Sequence, residues 1–194
     1  MRSATRAART CAPTASEPVR ALETWQAIRA KRMVRAFSDK PIEAAQLERI
    51  LDAGRHAASS KNSQRWDFIV VEDREQLRGL SMAGPFAGHL AGATVAIALV
   101  TPDPRAAGAS LSLMWDLGLA AENMMLAAWE LGIGSCPATV YEQPMARRLL
   151  AYPDDRTCEY LLSFGYPADP TDLTRPPRAG GRRPLSEIVH RGRW

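Results

Sequence analysis

Apolar residues recur along the chain at two different spacings. Recurrence at every third or fourth position predicts helices. The helices predicted in this way are residues 21–30, a second helix opened by Pro41, and residues 73–82, 109–131 and 143–150. The first of these helices is expected to bury Leu22, Trp25 and Ile28, with three cations at its C-terminal end.

Continuous apolar runs of strand length predict three strands, at residues 67–72, 93–100 and 159–167. The second run is apolar on both faces, which indicates a central position in a sheet. The glycines that follow residue 131 are interpreted as the end of a helix and a turn. Because helices interleave with three strands, the sequence predicts an α+β or α/β sandwich with helices packed on a central sheet.

The longest predicted helix is apolar nearly all round. Between Leu111 and Leu131 its only charges are Asp116, Glu122 and Glu130. Such a helix is expected to be buried, and its charges disfavour a membrane span. A domain of this size rarely covers so long a helix, so we expect a second subunit to cover the remaining face.

The basic excess of this 194-residue chain lies in its two ends. The net charge is +4, of which residues 1–20 carry +3 and residues 175–194 carry +5, leaving −4 on residues 21–174. A nucleic-acid-binding protein has a basic patch on a folded face, so this class is disfavoured. Residues 1–20 are expected to be a disordered extension, with a transit peptide as the alternative, and residues 21–194 to form the domain.

The cysteines Cys11, Cys136 and Cys158 are few, far apart and without a CxxC pair. This usage indicates a reducing compartment, taken as the cytoplasm, and argues against a disulfide framework or a structural zinc site. The three histidines have no metal-ligand spacing, and no metal is expected. Motifs of hydrolases and of dinucleotide-binding Rossmann units are also lacking, which favours an enzyme whose reactive group is a bound cofactor.

Two polar segments offer donors for a phosphorylated, planar ligand. The first is residues 31–37, Lys-Arg-Met-Val-Arg-Ala-Phe, and the second is residues 58–66, Ala-Ser-Ser-Lys-Asn-Ser-Gln-Arg-Trp. In this order they resemble the two signatures of the flavin-dependent nitroreductase family, whose cofactor is FMN. The family's second signature has prolines where this chain has Ala58 and Arg65, and the resemblance covers about residues 22–194.

The resemblance implies roles for particular residues. Lys31, Arg32 and Met33 would lie at the FMN phosphate and ribityl chain, and Arg35 would point its guanidinium at the flavin pyrimidine. The second segment would reach the FMN of the other subunit through Ser59, Ser60, Asn62 and Gln64.

Two further matches lie later in the chain. Residues 132–140 resemble the family loop that passes over the flavin ring, where Ala138, Thr139 and Val140 would offer backbone N–H groups near N5. Residues 181–185 resemble the family's closing basic segment, in which Arg183, with Arg182 second, would reach the FMN phosphate. Cys136 lies in the third match and is interpreted as structural.

The resemblance implies a nitroreductase-like sandwich with a mostly antiparallel sheet, in an intertwined homodimer with FMN at the interface. It implies an oxidoreductase that transfers hydride by a ping-pong mechanism from NAD(P)H to a nitroaromatic, quinone or enone, without a catalytic side chain. Two alternatives stay open: a flavoenzyme of the same fold with dehydrogenase, dehalogenase or flavin-fragmenting chemistry, and a non-enzymatic flavin-binding module.

Overall fold

The structure, a computed structural model, describes residues 24–176 and 181–194. The extension predicted at residues 1–20 lies outside the described residues. The described helices are α1 (Thr24–Ala30), α2 (Ala44–Arg55), α3 (Arg74–Leu80), α4 (Ser112–Glu130), α5 (Gln143–Leu150) and α6 (Leu185–Ile188). The described strands are β1 (Asp67–Val71), β2 (Val95–Pro102), β3 (Gly134–Thr139) and β4 (Arg156–Gly165).

The four strands form one antiparallel sheet in the order β1-β2-β4-β3. Ile69 pairs with Ala98, Ile97 with Leu162, and Cys136 with Ser163 in register. The two central strands are buried on both faces, as the apolar run of β2 predicts. The fold is therefore α+β, and the α/β alternative of the sequence analysis is wrong.

Each face of the sheet carries its own apolar core. Ala96 and Ala98 of β2 face the core beneath α3, α5 and a 3₁₀ turn at residues 88–92. Ile97 and Leu99, one residue out of phase, face the core beneath α2 and α4. This alternation follows from the two-residue period of a strand, and it places α4 across one face of the sheet.

Strand β3 occupies residues for which the sequence predicted a turn. It is the last strand of the sheet, paired along its length with β4 and bridged at Ser135 by Met33 among the described residues. The backbone N–H of Val140 donates to the carbonyl of Glu159 at 3.0 Å. Bonded and non-bonded pairs alternate along an antiparallel ladder, so Pro137 occupies a non-bonded position and its missing N–H costs nothing.

Helix α2 begins three residues later than the Pro41 start predicted from the sequence. Its N-terminus is held by Gln46, whose Oε1 accepts the backbone N–H of Glu43 at 3.2 Å. This reciprocal capping arrangement satisfies a donor that the first turn leaves unpaired. Pro41 therefore precedes the helix.

Large apolar side chains remain exposed on α1 and α4. Trp25 and Ile28 of α1 are 62% and 51% exposed, so their predicted burial is wrong for a single chain. Leu111, Trp115 and Leu119, spaced four residues apart, form an exposed row that we call the outer stripe of α4. The described helices include none with the length and hydropathy of a membrane span.

The C-terminal segment, residues 181–194, is exposed throughout. It contains α6 and a stack between the rings of His190 and Trp194, whose centroids are 4.2 Å apart. Leu185, Ile188 and Val189 are also exposed. The sequence predicted that this segment packs on the body or on a partner, and in this chain it does not pack on the body.

Candidate functional site

The first polar segment contacts the outer edge of β3 at Ser135. Helix α1 ends at Ala30, so residues 31–35 are extended and not helical as predicted. Met33 forms a parallel bridge with Ser135, and Val34 donates its N–H to the Ser135 carbonyl at 3.0 Å. The bridge ends there, because the next residues pair with the segment after β4: the N–H of Ala168 donates to the carbonyl of Ala36 at 3.0 Å, and Phe37 forms an antiparallel bridge with Pro167.

Lys31 forms an ion pair with Glu122 of helix α4. Its side chain is only 9% exposed, and its Nζ lies 3.1 Å from Oε2 of Glu122 and 4.0 Å from the sulfur of Met125. Glu122 thus fixes the position of Lys31, for which the resemblance implied a contact with the FMN phosphate. The sequence analysis assigned Glu122 no role.

The guanidinium of Arg32 binds backbone carbonyls, whereas the resemblance implied a contact with the FMN phosphate. Its Nη1 donates to the carbonyls of Arg29, Ala30 and Lys31 at 2.7–2.9 Å. Its Nε donates to the carbonyl of Arg175 at 2.8 Å. The last carbonyls of a helix have no partner within it, so the guanidinium of Arg32 holds the end of α1 and most of its donors are used.

Arg35 has neither a hydrogen bond nor an ion pair with any residue in the described ranges 24–176 and 181–194, and its side chain is exposed. Burial and, next in size, the charge of Arg35 lower the pKa of His89. Burial raises the pKa of Cys136, and Arg35 and Lys31 oppose that rise. Arg35 therefore contributes a cation without an ion pair among the described residues, close to His89 and Cys136.

His89 stands next to this cation and was not singled out from the sequence, where an isolated histidine gives no signal. Its Nδ1 lies 2.8 Å from Oγ of Ser163, whose hydroxyl donates to the carbonyl of Cys136 at 3.2 Å. With its own proton directed at that carbonyl, the serine oxygen can accept a hydrogen bond from Nδ1 of His89 in the tautomer that is protonated there. Its Nε2 is buried and has no hydrogen-bond partner in the described residues.

The third match offers one outward backbone donor, where the resemblance implied three. The N–H of Val140 is bonded to Glu159, as described above, and by alternation the N–H of Ala138 points at Leu161. Thr139 occupies the non-bonded position between them, so its N–H points away from β4. The predicted donor role is therefore corrected to Thr139 alone, with the side chains of Ala138 and Val140 buried.

The second polar segment is tied down mostly by its own members. The N–H of Ser60 donates to Oδ2 of the buried Asp116 in α4 at 3.0 Å. The N–H of Gln64 donates to Oγ of Ser59 at 3.0 Å, and its Nε2 donates to Oδ1 of Asn62 at 2.9 Å. The sequence marked Asp116 only as a charge within an apolar helix.

Three residues of the same loop have left-handed backbone conformations. Lys61, Asn62 and Gln64 have φ values of 55°, 53° and 45°. Such conformations are sparsely populated by residues other than glycine and cluster at ligand-binding sites. With Ser60, these residues are exposed, so the loop presents its polar groups to solvent.

One chain does not bring the two polar segments together. Lys31 contacts α4 at Glu122, whereas Ser60 contacts it at Asp116, six residues earlier. A helix turns about 100° and rises about 1.5 Å per residue. The two attachment points are therefore about 120° apart around α4 and roughly 9 Å apart along it, on different sides of the helix.

The tail arginines also lie apart from this edge. Arg183 pairs with Glu187 within the same segment, with its Nε 3.3 Å from Oε2 and its Nη2 donating to the Glu187 carbonyl at 2.9 Å. Arg182 is exposed. The structure thus brings Lys31, Met33 and Arg35 to the Ser135 end of β3, with Thr139 further along the same strand, and leaves the loop at residues 59–64 and the tail separate.

Comparison with known proteins identifies the family. The sequence model of the Nitroreductase family matches residues 28–84 and 80–166. An NADH dehydrogenase/NAD(P)H nitroreductase of Archaeoglobus fulgidus is 37% identical over 178 residues, covering 89% of this chain and 99% of the relative. An NADPH-flavin oxidoreductase of Vibrio harveyi is 27% identical, over 88% of this chain and 74% of the relative.

Among solved structures, an FMN-dependent nitroreductase from Clostridium difficile has a TM-score of 0.75 and 26% identity, covering 88% of this chain and 100% of that chain. The family match spans well over half of the sequence, and the archaeal relative is similar along nearly its whole length. The chain therefore belongs to the nitroreductase family.

Proposed function

We propose that this protein is an FMN-dependent oxidoreductase that uses NAD(P)H to reduce an electron-poor acceptor and works as a homodimer. The observation that carries the proposal is the outer edge of β3. There Arg35, a cation without a partner among the described residues, lies close enough to His89 and Cys136 for its charge to act on the pKa of each. Further along the same strand, the N–H of Thr139 points away from β4.

The donor chemistry of this edge fits FMN. The guanidinium of Arg35 can donate two parallel hydrogen bonds to the polar edge of the flavin pyrimidine, and its positive charge favours an electron-rich ring. The amide of Thr139 offers a neutral donor further along the ring. Lys31 and Met33 would line the ribityl side, with Lys31 held in place by Glu122.

The chemistry that FMN supplies when bound is two-electron hydride exchange between NAD(P)H and a nitroaromatic, quinone or enone. The protein's own residues bind and orient the ring, and none of them is needed as a nucleophile. In this proposal donor and acceptor use the same open face in turn, which gives ping-pong kinetics. A nearby group, His89, is kept neutral by its lowered pKa and adds no competing charge.

A second copy of the chain completes the proposed site. The loop at residues 59–64 lies on the wrong side of α4 to reach Arg35 of its own chain, so the proposal has it reach the cofactor of the other subunit. The outer stripe of α4 offers an apolar surface for that contact. The tail, exposed in one chain, would pack on the partner and carry Arg183 and Arg182 toward the phosphate.

The first experiment is a spectrum of the purified protein with excess FMN, before and after anaerobic addition of NADH or NADPH. We expect bound flavin that bleaches with nicotinamide and recovers with a quinone or nitroaromatic. Arg35→Gln should weaken FMN binding, while Arg78→Gln, an exposed arginine on α3, should not. A protein that stays colourless and shows no thermal shift with FMN would refute the assignment.

The same measurement separates the alternatives. Bound flavin that NAD(P)H does not bleach would favour a non-enzymatic flavin-binding module. Bleaching without turnover of any nitroaromatic or quinone would favour a different chemistry on the same fold.

The proposal includes a cytoplasmic location, supported by Cys136 and Cys158, which are buried and unpaired.

The dimer is tested by Trp115→Glu in the outer stripe of α4, with Arg78→Gln as the control. Sedimentation should show a dimer for the wild type and the control, and a monomer with weakened FMN binding for Trp115→Glu. A monomeric variant with full FMN affinity would show that one chain completes the site. A wild-type monomer would refute the dimer directly.

A further inference from the structure

A second candidate site lies at the opposite end of the sheet from Arg35. A cleft of about 460 Å³ is lined by the end of β2, the start of β4, the first turn of α4 and the side chain of Arg65. We call it the Arg65 cavity. Along β4, its wall at Arg156 is eight residues from Phe164, which pairs with Ser135 near the first site. Eight strand residues span roughly 27 Å, so within one chain the two sites are distinct.

Arg65 lacks any partner for its guanidinium. It makes no hydrogen bond or ion pair with the described residues, and its Nε is buried without a partner. Buried polar atoms are nearly always paired, and an unpaired one calls for a ligand, an ion or a water. Arg65 also stands where the family pattern has a proline, so the ordinary construction of this fold does not require its charge.

The negative charges around the cavity do not compensate Arg65, because each already has a cation beside it. The pairs are Asp103 with Arg105 at 3.5 Å, Asp154 with Arg147 at 3.4 Å, and Asp155 with Arg156 at 3.9 Å. The Asp154 side chain is in addition fully exposed, away from the buried Nε. The lining thus holds three arginines and three aspartates, and Arg65 is the one arginine among them without an ion pair in the described residues.

The remaining walls provide room and neutral donors. Residues 106–109 are three alanines and a glycine, which leave the volume open. Helix α4, 19 residues long, starts at the cavity with Leu111 at its N-cap, with no side-chain cap and no acid in its first turn. The N–H groups of Ser112 and Leu113 already donate to Ser110, so the helix start favours an anion through its dipole. The hydroxyl of Ser110, which lines the cavity, can also turn toward an anion.

We infer that the Arg65 cavity binds the oxyanion group, a carboxylate or a phosphoryl group, of a small organic ligand. The two Nη groups of Arg65 form a fork that matches two oxygens of such a group. A cleft of this volume is within the range that small-molecule sites occupy. Because Arg65 follows Gln64 directly, a ligand here would also fix the end of the loop at residues 59–64.

The test is calorimetric titration of the FMN-saturated protein at low ionic strength, with inorganic phosphate in one series and benzoate in the other. We expect millimolar or tighter binding of at least one anion, and the tighter of the two identifies the group. Arg65→Gln should weaken binding at least about tenfold, because it removes a charge-assisted pair. Arg65→Lys keeps the charge but not the fork and should fall between. Arg78→Gln should bind as the wild type does.

Several outcomes would overturn the inference. They are absence of binding to the wild type, equal binding by folded Arg65→Gln, and loss of binding in Arg35→Gln but not in Arg65→Gln, which would place the anion at the first site. Far-ultraviolet circular dichroism and a melting curve establish that each variant is folded. The outcome is independent of the proposed flavin, since a colourless protein with an Arg65-dependent anion site would refute only the flavin.

Discussion

Replacing Gly134 with alanine should destabilise the protein and weaken its proposed cofactor site. A Cβ placed on Gly134 would lie 2.6–2.8 Å from three side-chain carbons of Val34. Nonbonded carbon atoms pack at about 3.5–4.0 Å. Either the segment around Val34 or strand β3 must therefore move by about 1 Å. The Val34 side chain is fully buried and branches at its own Cβ, and its N–H is bonded to Ser135, so rotation about one bond does not relieve the clash.

The expected cost has two parts. Overpacking of a well-packed interior costs about 1–3 kcal/mol in the free energy of unfolding. Because Arg35 follows Val34, the same displacement moves its guanidinium, and loss of a charged hydrogen bond of about 1.5–3 kcal/mol raises the Kd for FMN roughly tenfold to a hundredfold. Alanine is ordinarily favoured over glycine in a strand interior. The predicted destabilisation is therefore opposite in sign to the usual effect of this substitution.

Chemical denaturation and quenching of flavin fluorescence measure the two quantities separately. The matched control is Gly92→Ala, where an added Cβ meets no atom within 4 Å. The control should change neither value appreciably. If Gly134→Ala is as stable as Gly92→Ala and binds FMN with the wild-type Kd, then the close approach of Val34 to β3 does not position Arg35.

Three further outcomes are expected. Asp116→Ala leaves the N–H of Ser60 without its charged acceptor, so unfolding free energy should fall by about 1.5–3 kcal/mol and proteolysis should cut the loop at residues 59–64 faster; an unchanged cleavage rate would contradict this. His89 should titrate below its ordinary value of 6.5 in NMR spectra, and Arg35→Gln should raise its pKa. Because the folded state binds this proton more weakly than the unfolded chain, the stabilisation from neutral His89 is present above pH 6.5 and lost as pH falls through the lowered pKa. Burial raises the pKa of the Cys158 thiol to about 12, so iodoacetamide at pH 8 should label it only after unfolding.

The sequence predicted the parts of this fold that have strong local patterns. The apolar run of β2 indicated its central position, and the long apolar periodicity of α4 indicated its length. Strand β3 escaped prediction because an edge strand tolerates both Gly134 and Pro137, residues that ordinarily mark a turn. The start of α2 was misplaced because the bond between Gln46 and Glu43 is a stronger signal than Pro41.

Candidate site residues were predictable as residue types, whereas their partners were not. Three cations in five residues indicated a site, but only the structure separates Arg35, which is free among the described residues, from Arg32, which caps α1. The choice depends on where the helix ends, and helix ends are poorly defined by periodicity. The role of Arg65 likewise depends on loops far apart in sequence.

Helix α4 supports both polar segments, through Asp116 near its start and Glu122 at its middle. In the proposed two-fold dimer, each copy of α4 would contact one FMN pocket through Glu122 and the other pocket through Asp116. A displacement of α4 when one pocket binds its ligand would therefore change the geometry of the other pocket. We expect the two pockets to fill with unequal affinities, and a biphasic titration of the apoprotein would reveal this communication between them.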